Sequence, residues 1–334
     1  MRLRLWPSRS PEPARIDGDG TAAPRLSSGS RTGTGVPREI LRQVREIELR
    51  TRGLVDAIFG GEYHSVFRGQ GMEFAEVREY QSGDDVRHID WNVTARMGHP
   101  YVKKHVEERE LTVMLVVDLS GSEQFGTRSR FKAEAAAEVA AVLALSAVRN
   151  NDRVGLLIFT DRVEHVVPPR KGRRHVLRLI RDVLAFVPEG RGTDIPGALD
   201  FAARLLTHRS ILFVMSDFIA PAGGGRPESW ERTLKTVARR HDVVAVSILD
   251  HAETALPDAG LLVLRDPETD EEVAIDTARP GVREEYERVV ASESLEVRRL
   301  FRRLGIDEIA IRTDVSAVRP LLAFFHRRER ILRK

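Results

Sequence analysis

Residues 111–122 read LTVMLVVDLSGS: an apolar run, Val113 to Val117, that stops at an acid and is followed by two spaced hydroxyls. A β-branched run of this length, bounded by a Ser/Gly turn, predicts a strand buried on both faces at the centre of a parallel sheet. Ligand sites in open α/β sheets lie just beyond the carboxyl ends of such strands. Asp118, Ser120 and Ser122 fall at that edge. One carboxylate and two hydroxyls are hard oxygen donors, which suit Mg²⁺ better than zinc or copper. Taken alone, Asp-x-Ser-x-Ser is equally the chemistry of helix caps and turns.

Downstream of Ser122 the chain alternates. Phe131 to Val148 reads as a helix packed closely on the sheet. Arg153–Phe159 and Val163–Val167 read as an antiparallel pair joined across Thr160-Asp161-Arg162. A helix over 176–186 is stopped by Pro188-Glu189-Gly190, and Asp194 is placed to cap a helix with Pro196 in its first turn. Strand Ser210–Met215, a loop with Gly223-Gly224-Gly225, helix Trp230–Arg240 and strand Val243–Leu249 follow. A hairpin (260–265 with 272–276), helix Arg283–Leu304, strand Glu308–Ile311 and a terminal helix from Ser316 complete the chain. This alternation predicts an α/β fold over 111–334, a doubly wound, mostly parallel sheet in three layers.

Upstream, residues 1–37 are rich in Pro, Gly, Ser and Arg without hydrophobic period, the composition of a disordered basic tail. Residues 38–60 carry a helical pattern that ends at Gly60-Gly61. Residues 61–110 read as a small β-rich module, with short strands at Tyr63–Phe67, Glu73–Tyr80 and Tyr101–Val106 between glycine turns.

Composition narrows the function. The chain has 334 residues, 42% hydrophobic and 31% charged, with a net charge of only +3 from mixed charges. That is the balance of a globular protein and not the footprint of a nucleic-acid binder. The absence of cysteine excludes thiol nucleophiles, disulfide scaffolds and thiolate zinc sites, and fits a cytoplasmic location. No run approaches the roughly 20 apolar residues of a transmembrane segment.

Two further pieces join the first stretch. Gly192-Thr193-Asp194 precedes a helix, and Ser216-Asp217 ends an apolar strand. The ordered set Asp118, Ser120, Ser122, Thr193 and Asp217 resembles the metal-ion-dependent adhesion site of von Willebrand factor A domains. That resemblance implies Mg²⁺, or Mn²⁺, held by the serines and the threonine, with the acids acting partly through water and one position open to a partner's carboxylate. FRGQGMEFAEVREYQSGDDVRHIDWNVTAR, running into the Asp-x-Ser-x-Ser strand, resembles the bacterial family called domain of unknown function 58 (DUF58). The implied role is a non-enzymatic interaction module, an adaptor or scaffold in protein assembly or maturation. Its implied partner is an AAA+ ATPase of the MoxR kind or that ATPase's client.

The alternative is a Mg²⁺-dependent hydrolase of a phosphorylated substrate, with Asp118 and Asp217 holding the ion near an activated water. No P-loop, G-x-S-x-G elbow or H-E-x-x-H accompanies it, and a phosphoaspartate site would need an acid where Ser120 stands. His88 beside Asp90 is expected in a polar packing cluster with Arg87 around Trp91. The basic run Arg170, Lys171, Arg173, Arg174, Arg178 and Arg181 is expected to be a hydrated helix face, its rival reading a surface for an acidic partner.

Overall fold

The computed structural model describes residues 6–7, 38–58, 73–106, 110–124, 131–219, 227–266 and 271–332. The strand expected at Tyr63–Phe67 and the loop at Gly223–Gly225 lie outside them. Along the chain come β1 (Trp6–Pro7), α1 (Arg38–Ile58), β2 (Glu73–Glu79), the short helix α2 (Trp91–Met97) and β3 (Tyr101–Val106). The main body then runs β4 (Thr112–Asp118), α3 (Lys132–Arg149), β5 (Arg153–Phe159), β6 (Val163–Arg170), α4 (Arg173–Ala185) and α5 (Ile195–Leu205). It continues with β7 (Ile211–Ser216), α6 (Pro227–Arg240), β8 (Asp242–Leu249), the single turn α7 (His251–Thr254), β9 (Leu261–Arg265) and β10 (Glu272–Asp276). The chain closes with α8 (Pro280–Leu304), β11 (Asp307–Arg312) and α9 (Val318–Leu332).

Six strands form the central sheet in the order β11-β8-β7-β4-β5-β6. All neighbours are parallel except the β5–β6 pair, which turns back across Thr160–Arg162. β4 stands at the switch point, its register placing Asp118 opposite Phe159 of β5 and Val117 opposite Met215 of β7. Strand alternation then divides the core. Val113, Leu115 and Val117 face a layer containing α3, α4 and α9, whereas Met114 and Val116 face α5, α6 and α8. Helices on both faces of a mostly parallel sheet make three layers, as the alternating pattern predicts.

α3 explains its own composition. Ala135, Ala136, Ala137, Ala140, Ala141, Ala144 and Ala147 are all buried, so the helix lies against the sheet on one side and under α1 on the other. Small side chains permit that double contact at helix-packing distance. α1 is thereby part of the body: Val44 is buried in the core, Ile40 and Ile47 pack on it, and Arg173 of α4 pairs with Glu48.

β2 and β3 form a separate antiparallel pair, and β1 lies on β9 beside β10 in a three-stranded sheet. Between β2 and β3 the sequence-based expectation of strands and turns misses α2. Asp90 caps it by accepting Asn92 N–H and Val93 N–H, and Gly98 ends it at φ 76°. The expected cluster around Trp91 does not form. Trp91 is 70% exposed, Arg87 bonds Asp85, and Asp90 serves the helix end. Much of the basic run is absorbed internally: Lys171 pairs with Glu110, Arg173 with Glu48, and Arg178 and Arg181 with Asp182.

Candidate metal centre

Three loops meet at the carboxyl edge of the sheet around β4. The loop after β4 carries Ser120 and Ser122. Both are buried, and their Oγ atoms stand 3.2 Å apart. Asp118, also buried, accepts Ser120 N–H at Oδ1 (2.9 Å) and the Ser216 hydroxyl at Oδ2 (2.7 Å). Ser216 comes from the end of β7, so the Asp118 carboxylate joins two adjacent strand ends. Each of its oxygens thus accepts a hydrogen bond that holds the corner together.

The second loop brings Thr193. Gly121 N–H donates to Arg191 C=O (2.9 Å) and Asp194 N–H to Thr160 C=O (2.8 Å), so tethers to the β4 loop and to the end of β5 flank the threonine. Glu164 of β6 reinforces this loop by accepting Glu189 N–H, Gly190 N–H and the buried Thr160 hydroxyl. Gly190 is required there, because a Cβ would collide with Thr160 Oγ1. Asp194 caps α5 through Gly197 N–H, as its position in the sequence predicts.

The third loop follows β7. Phe218 has φ 53°, a left-handed conformation that costs of order 1–3 kcal/mol in a bulky residue. Its ring is buried against Trp230 and Phe301, with centroids 6.3 and 5.0 Å away. Burial of a phenylalanine is worth about 1.5–3 kcal/mol, enough to hold the bend. The bend leaves Asp217 Oδ1 accepting Ile219 N–H (2.9 Å) and Oδ2 accepting from Lys132 Nζ (3.0 Å).

Lys132 was not singled out by the sequence, nor was Glu253. The ammonium is fully buried and lies between Asp217 and Glu253 Oε1, the latter at 2.5 Å. Burial pushes the Glu253 carboxyl above its usual range against the pull of Lys132, and the Asp217 charge adds to the rise. Glu253 also closes a capping box with Asp250, whose Oδ2 accepts the Thr313 hydroxyl (2.5 Å). The available signal was a lysine at the first position of a helix made mostly of alanine, valine and leucine.

The donor set can be tested against a hard divalent ion. Adjacent ligands of an octahedral Mg²⁺ with bonds of about 2.1 Å stand about 3 Å apart. The Ser120–Ser122 hydroxyl pair matches one such edge, and Asp118 is placed to orient it. Among the described residues no three His, Asp or Glu side chains gather as a metal cluster, so an ion here leans on hydroxyls. On that basis the hydroxyl pair fits one edge of a Mg²⁺ shell.

The family model described as "Protein of unknown function DUF58" matches residues 76–296. Uncharacterized proteins of Mycobacterium bovis and Mycobacterium tuberculosis are 34% identical over 291 residues, covering 86% of this chain and 89% of theirs. Among solved structures, the conserved hypothetical protein BatB of Bacteroides thetaiotaomicron is 16% identical with a TM-score of 0.42, over 66% of this chain and 99% of that one. The von Willebrand factor A domain of SpRpn10 is 10% identical with a TM-score of 0.37, over 64% and 94%. No helix among the described residues is long and apolar enough to cross a membrane.

Proposed function

Because this chain belongs to the family of proteins of unknown function DUF58, built on a von Willebrand factor A-like sheet, we propose that it is a non-enzymatic, Mg²⁺-dependent protein-interaction module. The observation carrying the reading is the buried hydroxyl pair of Ser120 and Ser122, 3.2 Å apart and oriented by Asp118. Ser120, Ser122 and Thr193 would hold the ion, with Asp118 and Asp217 acting on it through hydrogen-bonded water. When bound, the ion supplies a Lewis-acidic position for a partner's carboxylate. That contact forms only when metal and acid are both present. A charge-assisted contact of this kind contributes about 1.5–3 kcal/mol, roughly ten- to hundredfold in affinity. By family resemblance, the partner class is a MoxR-type AAA+ ATPase or its client, with this chain as adaptor in assembly or maturation.

The test is binding of the purified chain to a MoxR-type ATPase from the same genome, in Mg²⁺ and in chelator. Binding should weaken at least about tenfold in chelator, and the double variant Ser120→Ala/Ser122→Ala should bind equally weakly in both. Tight binding indifferent to chelator and to the variant removes the metal bridge. Sustained turnover of a phosphorylated substrate, lost in Asp118→Ala, would favour the hydrolase instead.

A further inference from the structure

A lysine in the first turn of a helix works against the helix dipole, which favours anions there. Lys132 nevertheless occupies that place in α3, whose amino end faces the metal corner, and it is fully buried. Its ammonium is 3.0 Å from Asp217 and 2.5 Å from Glu253. An ion pair so deep contributes little net stability over an apolar replacement of both partners, so its charge calls for another explanation.

We infer that Lys132 is a specificity-determining residue of the metal corner: its fixed positive charge weakens the hold on Mg²⁺ and keeps the loaded corner receptive to a carboxylate. This rests on the metal reading above. At the edge of the corner the carboxyl groups of Asp217 and Glu253 face one ammonium. Whatever proton Glu253 carries, deleting the ammonium makes the corner one unit more negative. A more negative corner draws a divalent cation more strongly, and once loaded it repels an incoming acid. In a poorly solvated site one unit charge several ångströms from a dication shifts affinity by tenfold or more. Lys132 therefore moves affinity from the ion to the ion's partner, and it prevents Mg²⁺ from being satisfied by the protein alone.

The experiment is calorimetric titration of Mg²⁺ alone into wild type, Lys132→Met and Lys132→Arg, followed by titration of a glutamate peptide into each loaded protein. Lys132→Met should bind Mg²⁺ at least about tenfold tighter and the peptide at least about tenfold weaker. Lys132→Arg, which keeps the charge, should stay near wild type in both. A purely structural lysine would lower both affinities in Lys132→Met, a result that overturns the inference. If Lys132→Met is unfolded without metal, Mg²⁺ should refold it, because the ion replaces the lost positive charge. A variant that neither binds tighter nor is refolded by Mg²⁺ overturns the proposal. A wild type that takes up no Mg²⁺ at millimolar concentration removes the metal reading and this inference together. A wild type that binds Mg²⁺ with the same affinity as Lys132→Met removes this inference alone.

Discussion

The two ends of the central sheet both bury polar groups, and they treat them in opposite ways. At the carboxyl end, Ser120, Ser122, Asp118, Ser216, Asp217, Lys132, Glu253, Asp250 and Thr313 bond one another across β4, β7, β8 and β11. At the amino end, Asp152 Oδ2 and both ring nitrogens of His241 are buried without a hydrogen-bond partner. A polar atom left so costs about 1–3 kcal/mol. Chain connectivity explains part of the contrast. The loops leaving strands β4 and β7 carry side chains that converge, whereas Asp152 and His241 are the last residues of tight entries into β5 and β8. Substitutions at the two ends should therefore differ in sign: removing a carboxyl-end group strands its partners, and removing an amino-end group relieves a penalty.

The largest effect is expected for Lys132→Met. It leaves Asp217 and Glu253 facing each other without their cation, and breaking a buried pair in this way costs about 3–5 kcal/mol. A urea titration in the absence of divalent ions reads the loss directly. Adding Glu253→Gln should recover part of it, because one of the two stranded carboxyls is then neutral at every pH. An unchanged midpoint for the single variant would mean that the carboxyl-end bonds are independent contacts and not a connected string.

Asp152→Asn tests the opposite sign. Burial pushes the Asp152 carboxyl up to about 7, opposed by the Leu111 N–H that donates to Oδ1 at 2.8 Å. The folded chain therefore holds a proton that the unfolded chain releases near its ordinary value of 3.8. Stability from this group is fully present below that value and declines as pH rises toward 7, because the folded state binds more protons throughout that window. Asparagine keeps an acceptor for Leu111 N–H and carries no charge. The variant should be more stable than wild type by about 1–3 kcal/mol at pH 8 and should converge with it near pH 4. Equal stability at both pH values would show Asp152 ionised without cost and would erase half of the contrast between the two ends.

Most of the fold is legible in the sequence because its signals are local. The run Val113–Val117 is buried throughout, the turn at Thr160–Arg162 joins an antiparallel pair, and Asp194 caps its helix. α2 is not legible, because seven residues are too few to show a helical period and its ends are set by Asp90 and Gly98 alone. The candidate site divides in the same way. Asp118, Ser120 and Ser122 announce themselves by spacing within one turn. Lys132 is one of 53 lysines and arginines, and its meaning depends on a carboxylate 85 residues away. Phe218 is likewise silent, since only the fold reveals that its left-handed backbone aims Asp217 and that Trp230 and Phe301 hold it there.

The smallest and most discriminating effect belongs to His241. Burial lowers its pKa first, and the neighbouring charges of Arg240 and Arg209 lower it further. The unfolded chain therefore takes up a proton that the folded chain resists, so stability is complete above about pH 6.5 and is lost as pH falls below it. This slope is opposite to that of Asp152, and between pH 4 and 7 the two partly cancel in wild type. His241→Leu fills similar space without ring nitrogens to satisfy, and should raise stability by up to about 1 kcal/mol at pH 7 and by more at pH 5. In the Asp152→Asn background that pH 5 gain should persist, since the groups stand at different strand entries and their effects should add. A loss of stability in His241→Leu would mean that the imidazole is bonded, for instance to a buried water. The contrast between the two ends would then rest on Asp152 Oδ2 alone.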